Sequence, residues 1–112
     1  MTTLTTKALE KSTYIITAAF TDEDGAAVIP DSIAWTLTDS SGNVVNSRSS
    51  VAVAVPAASI NIVLSGADLA IQRAGILGRI LTIEAVYDSS LANDLPLKDE
   101  IHFEILPLVN VA

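Results

Sequence analysis

The chain contains no cysteine, so it can form neither a disulfide nor a cysteine-ligated metal site, and it has no thiol nucleophile. It has a single histidine, one tryptophan, two tyrosines and two phenylalanines. Its longest apolar runs, such as residues 51–58, fall far short of the roughly 20 residues that span a bilayer. These shortages argue against a cysteine enzyme and against an integral membrane protein.

Basic residues are also few, with 6 Lys and Arg against 13 Asp and Glu and a formal net charge of −7. Because phosphate binding draws its affinity from clustered Lys and Arg, we do not expect nucleic acid as a direct ligand. The N-terminus shows no continuous apolar segment of the kind found in a signal peptide. At 112 residues, the chain is predicted to form one domain, residues 1–112.

Alternation of apolar and polar residues dominates the sequence and indicates half-buried strands. The segments that alternate most clearly begin at Thr13, Ser32, Ile60 and Leu97. The predicted inward-facing residues are Tyr14, Ile16, Ala18, Phe20, Ile33, Trp35, Leu37, Ile60, Ile62, Leu64, Leu97, Ile101, Phe103 and Ile105. We expect Trp35 to lie at the centre of the core.

The remaining segments complete the predicted strand set. Residues 44–49 suggest a short polar strand, and residues 51–55, stopped by Pro56, suggest an edge strand. The nearly continuous apolar run 79–88 is typical of a strand in the middle of a sheet. With a possible short strand near residues 4–9, the count reaches about seven or eight antiparallel strands, as in a β-sandwich.

One short helical turn is predicted between the strands. Ser65 and Asp68 have the Ser-x-x-Asp spacing of a helix start, and Gly75 is suited to end a helix. The sequence therefore predicts a helical turn within residues 66–74.

The stretch AAFTDEDGAAVIPDSIAWTLTDSSGNVV, residues 18–45, resembles the first half of bacterial immunoglobulin-like domains. In those domains, a strand ends in Asp-x-x-Gly, an insertion with proline follows, and an apolar strand leads to a second such turn. Trp35 falls where many immunoglobulin-like sandwiches bury a tryptophan, and SGADLAI at 65–71 resembles the helical turn between their fifth and sixth strands.

This resemblance implies an immunoglobulin-like β-sandwich. Ile80 and Leu81 stand where a tyrosine corner is expected, and no cysteines are present for an inter-sheet disulfide, so an antibody-type domain is disfavoured. A single domain of this kind with no signal peptide is similar to small accessory proteins of tailed bacteriophage particles. The implied location is a virion or the bacterial cytoplasm.

The acidic turn Asp22–Glu23–Asp24–Gly25 is a candidate cation loop, because hard cations prefer several oxygen ligands near a tight glycine turn. It lacks the further acidic positions and the closing glutamate of an EF-hand. Asp and Gly are also the ordinary turn-forming residues, and a solvated turn is the favoured interpretation. Whether Asp22 and Asp24 bind a cation stays open, and no metal or cofactor is assigned.

His102 lies between Glu100 and Glu104 on the polar face of the last strand. General acid–base catalysis needs a partner and a pocket, and neither can be assigned from the sequence, so we interpret His102 as a surface residue. Glu84 and Asp99, together with Glu100 and Glu104, are better explained as charges that keep strand edges soluble than as a glycosidase pair. No catalytic residue is assigned.

The aromatic residues and the termini bear on binding partners. Most aromatics fall on inward positions, which disfavours an exposed platform for sugars. The apolar C-terminal segment ILPLVNVA, residues 105–112, either folds back against the core or packs against a neighbouring subunit. For the threonine-rich N-terminus, ordering only on assembly is one alternative.

We therefore expect a non-enzymatic structural or assembly subunit, in a phage head, neck or tail, that acts through protein–protein contacts. The expected partners are further copies of the chain or other virion proteins, contacted through the C-terminal segment and the edge at residues 51–55. The alternative is a cell-surface adhesion module or a carbohydrate- or calcium-binding module. A small hydrolase is disfavoured because no nucleophile and base can be paired.

Overall fold

The computed structural model describes residues 2–71 and 77–109, which form eight strands and one short 3₁₀ helix. The strands are β1 (Thr2–Thr3), β2 (Ala8–Leu9), β3 (Thr13–Ala19), β4 (Ser32–Asp39), β5 (Val51–Ala52), β6 (Ser59–Ser65), β7 (Gly78–Tyr87) and β8 (Leu95–Leu106). The helix, Gly66–Leu69, follows β6. The all-β prediction is confirmed. Within these residues, no helix has the length and apolar character that a membrane crossing requires.

The strands are divided between two sheets. The major sheet has the order β1-β8-β7-β4-β5, with β2 also paired to β8, and the minor sheet contains β3 and β6. Neighbouring strands from β3 to β8 pair antiparallel, whereas β1 and β2 run parallel to β8. The prediction of uniformly antiparallel strands is therefore wrong for the N-terminal segment, because β1 and β2 lie beside β8 and run in the same direction as β8.

The N-terminal segment pairs with the last strand of the same chain, and its ordering on assembly stays a prediction. The pairing of β1 with β8 is extended by the backbone N–H of Leu4, which donates to the carbonyl of His102 at 2.8 Å. Backbone hydrogen-bonding groups of residues 2–4 thus find partners on β8 of the same chain.

One core joins the two sheets. The inward positions predicted from the alternation are buried or partly buried and contact this core, since each strand places every second side chain on the same face. Trp35 belongs to the core with 8% of its surface exposed, but Leu37, Leu64, Leu81 and Ile105 are completely buried. The core is therefore centred on aliphatic side chains from both sheets, with Trp35 nearer its boundary.

The predicted strand at residues 44–49 is wrong. Val44 forms an isolated bridge to Thr38, and Val45 and Arg48 hydrogen-bond to the backbone of Leu37. Between these two contacts the backbone turns, with positive φ at Asn46 and Ser47. These left-handed residues interrupt the extended backbone, and Val45 points into the core with 1% of its surface exposed. The predicted edge strand at 51–55 does lie at a sheet edge, but it is confined to the two residues of β5.

The helical turn begins as predicted but is shorter. Ser65 and Asp68 form a reciprocal capping box, and the helix ends at Leu69, because Ala70 is already extended with ψ of 137°. The part of the prediction that falls on residues 72–76, including Gly75, lies outside the described residues. β7 lies between β4 and β8, which confirms its predicted place in the middle of a sheet.

Candidate functional site

The acidic turn after β3 is built as a hydrogen-bonded turn. Asp22 Oδ1 accepts from the backbone N–H groups of Asp24 and Ala26, at 2.9 and 3.0 Å, and Gly25 takes a φ of 80° that favours glycine. The carboxylates of Asp22, Glu23 and Asp24 have oxygens within 4.8 Å of one another. The structure of the turn thus accounts for Asp22 as a hydrogen-bond acceptor and for Gly25 as the residue with positive φ. A role of Asp22 and Asp24 in cation binding stays a prediction.

A second acidic cluster was missed from the sequence. Asp31, Asp88 and Asp94 bring their carboxylates within 4.8 Å of one another, although they come from two different loops. Local desolvation and the neighbouring charges of Asp88 and Asp94 raise the pKa of Asp31. No spacing pattern could reveal this cluster, because it depends on the pairing of Asp31 with Val86 beside the β7–β8 loop.

The two acidic clusters lie near Tyr87 at the same end of the molecule. Burial raises the pKa of Tyr87, and the charges of Glu23, Asp22 and Asp24 raise it further. This end could offer oxygen ligands to a hard cation. However, Asp22 Oδ1 and Asp88 Oδ1 already accept backbone hydrogen bonds within their own loops. We therefore assign Asp22 and Asp88 a role in loop structure, and cation binding at this end stays a prediction.

His102 lies on the outer face of the major sheet, as predicted. Its Nε2 is 3.1 Å from Glu100 Oε2, and its side chain is 32% exposed. Glu104 is exposed farther along the strand, and Glu84 pairs in register with Lys98. The contact between His102 and Glu100 lies on an open sheet face, where such a pair contributes at most about 1 kcal/mol. The arrangement is that of a solvated surface.

The aromatic residues are directed into the protein. Phe20, Trp35, Tyr87 and Phe103 are buried, and Tyr14 is partly buried with its ring stacked on Phe103 at a centroid distance of 4.9 Å. The prediction that most aromatics face inward is confirmed. None of these rings is exposed as the sugar platform of the alternative function would require.

A buried carboxylate, Asp68, ties the helix to the β4–β5 loop. It is 1% exposed and accepts hydrogen bonds from Asn46 Nδ2 at 2.8 Å, Arg48 Nε at 2.8 Å and the backbone N–H of Ser65 at 3.1 Å. Burial alone would raise the pKa of Asp68, but these hydrogen bonds and the Arg48 charge outweigh it and lower the pKa. The sequence identified Asp68 only as a capping residue, and its two side-chain donors had no recognisable spacing.

Arg79 is the other buried charged residue among those described, with 2% of its surface exposed. Its guanidinium donates to the carbonyls of Gly78 at 2.8 Å and Ala70 at 3.1 Å. Burial lowers its pKa, while the charge of Asp39, its partner in the β4–β7 register, opposes that shift. Because these contacts hold together the beginning of β7 and the segment after the helix, we assign Arg79 a structural role.

Exposed apolar side chains gather where the chain leaves β8. Leu9 is 44% exposed and pairs in register with Leu106, which is 42% exposed. Leu108 is 40% exposed and Val109 is exposed completely. We call Leu9, Leu106, Leu108 and Val109 the C-terminal patch. The rest of the apolar C-terminal segment, residues 110–112, lies outside the described residues.

Comparison of the chain with protein-family models, with curated proteins and with solved structures finds no match. The resemblance to bacterial immunoglobulin-like domains therefore depends on the motifs in residues 18–45 and 65–71. Function has to be argued from the surfaces of the molecule itself.

Proposed function

We propose that this chain is a non-enzymatic assembly subunit with an immunoglobulin-like sandwich, which acts through protein–protein contacts in a tailed-phage particle. The order of the strands supports the sandwich. Immunoglobulin-like domains place their second and fifth strands in one sheet and their third, sixth and seventh in the other. With β2 counted as the first strand, β5 as an edge addition and no counterpart of the fourth strand among the described residues, β3 and β6 correspond to the former and β4, β7 and β8 to the latter. Trp35 on β4 then occupies the usual position of the buried tryptophan.

The C-terminal patch is the observation that carries the proposed function. Single exposed apolar residues are ordinary on soluble proteins, but contiguous ones mark interaction surfaces. Leu9 and Leu106 are directly paired, and the backbone N–H of Leu108 donates to Glu10 Oε1 at 3.1 Å, which holds the chain after β8 beside β2. The apolar side chains are thus presented together on an ordered support, where a neighbouring subunit can cover them.

Light scattering coupled to size-exclusion chromatography tests this function. We expect the wild-type protein to form an oligomer whose average mass falls in the double variant Leu106→Ser, Leu108→Ser. The matched control is Leu91→Ser, because Leu91 is 77% exposed in the β7–β8 loop, away from the patch. The control should retain the wild-type mass.

A wild-type protein that stays monomeric at every concentration would count against self-assembly through this surface. Equal masses for the patch variant and the control would place the contact elsewhere. The particle location has its own test, because genes for capsid, portal or tail proteins next to this one would support it, and a neighbourhood of surface-adhesion genes would favour the alternative.

A further inference from the structure

Beyond the C-terminal patch, the minor sheet has an open edge along β3. This strand pairs with β6 on one side, and among residues 2–71 and 77–109 no strand pairs with its other side. Alternate backbone N–H and C=O groups of an edge strand point away from the sheet and can bind an added strand. Beside this edge, a groove of about 410 Å³ runs along residues 15–20 and is closed on its far side by Leu97 and Ile101 of β8.

The β3 edge lacks the features that normally protect edges. Natural proteins place charges or proline on exposed strands to prevent edge-to-edge pairing. On the facing side of the groove, β8 carries Pro96, Lys98, Asp99 and Glu100. In contrast, residues 12–21 contain no charged residue and no proline, although the protein as a whole has a net charge of −7. β3 itself therefore brings no charge to such a contact, and the charged residue in the groove lining is Asp99 of β8.

We propose that the β3 edge pairs antiparallel with the β3 edge of a second copy of the chain, which joins two minor sheets into one four-stranded sheet. This inference rests on the proposed assembly function and names a contact for it. A two-fold interface of this kind uses the same surface on both copies. Outward-facing residues must lie opposite outward-facing residues, so the register places Thr17 opposite Thr17 and Ile15 opposite Ala19.

Charges at the ends of β3 select the antiparallel direction. In an antiparallel pair, the turn that precedes β3, with Lys11, lies at the same end as the acidic turn of the other copy, with Glu23, and both side chains are exposed. A parallel arrangement would instead bring the two acidic turns together. The free side of β6 offers no such selection, because residues 51–67 contain no charged residue.

The contact is small and should be weak. Five residues of each copy, 15–19, lie in the open part of the edge, against about 20 to 30 residues per side in a standard interface. We therefore expect dimers whose fraction rises with protein concentration, and sedimentation velocity over a concentration series is the suitable measurement.

The first test uses Thr17→Lys and its matched control Asn61→Lys. Thr17 Oγ1 donates to Asn61 Oδ1 at 2.8 Å, and the two residues are paired on the same exposed face, so each variant breaks the same bond and adds the same charge. Only Thr17→Lys places two lysines opposite each other at the two-fold axis, where like charges repel. We expect dimers to be lost in Thr17→Lys and kept in Asn61→Lys. The reverse result would place the contact on β6 and overturn the proposal.

The second test mixes two charge-reversal variants, Lys11→Glu and Glu23→Lys. Each variant alone sets like charges against each other in both end contacts, and we expect at least a several-fold weaker dimer. An equimolar mixture restores opposite charges in both contacts of the mixed dimer, so dimerisation should return. If the mixture stays as weak as its components, the antiparallel pairing is wrong.

The patch variant Leu106→Ser, Leu108→Ser separates this inference from the proposed function. It leaves β3 intact, so β3-mediated dimers should persist in it at high concentration. If all self-association disappears in the patch variant and Thr17→Lys behaves as wild type, assembly through the C-terminal patch stands and the β3 contact is refuted. If the patch variant associates as wild type and only Thr17→Lys does not, the patch proposal fails and the β3 contact stands.

Discussion

Asp68→Asn removes the charge from a carboxylate that is 1% exposed and accepts hydrogen bonds from Asn46, Arg48 and the backbone of Ser65. Breaking a fully buried ion pair costs about 3 to 5 kcal/mol, but the Arg48 side chain is 42% exposed and water can solvate it once it is released. We therefore expect a loss of about 2 to 3 kcal/mol in the free energy of unfolding, or on the order of 10 °C in Tm.

The effect of Asp68→Asn should depend on pH. The folded state lowers the pKa of Asp68, so its ionised form is stabilised by folding. This contribution is fully present above the unfolded-state pKa of about 3.9 and is lost as the pH falls through the lower, folded-state pKa. The stability gap between wild type and Asp68→Asn should be largest near neutral pH and should narrow in strongly acidic buffer.

Urea denaturation at neutral and acidic pH measures both effects. Glu104→Gln is the control, because it neutralises an exposed carboxylate and should change the stability by no more than about 0.5 kcal/mol. The reasoning is refuted if Asp68→Asn is as stable as this control at neutral pH, or if the gap stays constant on acidification.

Three further predictions concern the core and the turns. Leu81→Ala should lower the free energy of unfolding by about 2 to 5 kcal/mol in urea titrations, because it leaves a cavity at a completely buried position. Asp31→Asn should raise Tm at neutral pH, since the pKa of Asp31 is raised in the folded state and ionisation there is unfavourable. That gain should vanish below the unfolded-state pKa, where the wild-type carboxyl is protonated, and Tm measured against pH checks it. Gly42→Ala should cost about 1 to 2 kcal/mol, because φ is 91° at Gly42, and the matched substitution Ser41→Ala should cost less.

The strands that are predicted well from the sequence are those with one buried face and one solvent-exposed face. In β4 and β8, Ile33, Trp35, Phe103 and Ile105 repeat every second residue, and a shift by one residue would expose all of them. Burial therefore determines which face turns inward, and a local pattern is enough to predict it.

Features that depend on distant contacts were not predictable in this way. The turn at residues 46–47 is accompanied by the burial of Val45 and by the bond from Asn46 to Asp68, and neither is visible in the local pattern. The acidic cluster of Asp31, Asp88 and Asp94 likewise depends on which loops meet at one end of the sheets. The open edge of β3 could not be predicted either, because the alternation of apolar and polar residues identifies a strand but does not show which strands lie beside it.

The sedimentation behaviour of the wild-type protein and the Leu106→Ser, Leu108→Ser variant tests the assembly function most directly. We predict that wild type sediments as an oligomer at high concentration and that the variant, verified as folded by a cooperative melting transition, has a lower average mass at the same concentration. A wild-type protein that sediments as a monomer throughout the series, or a variant that associates as wild type does, would contradict assembly through the C-terminal patch.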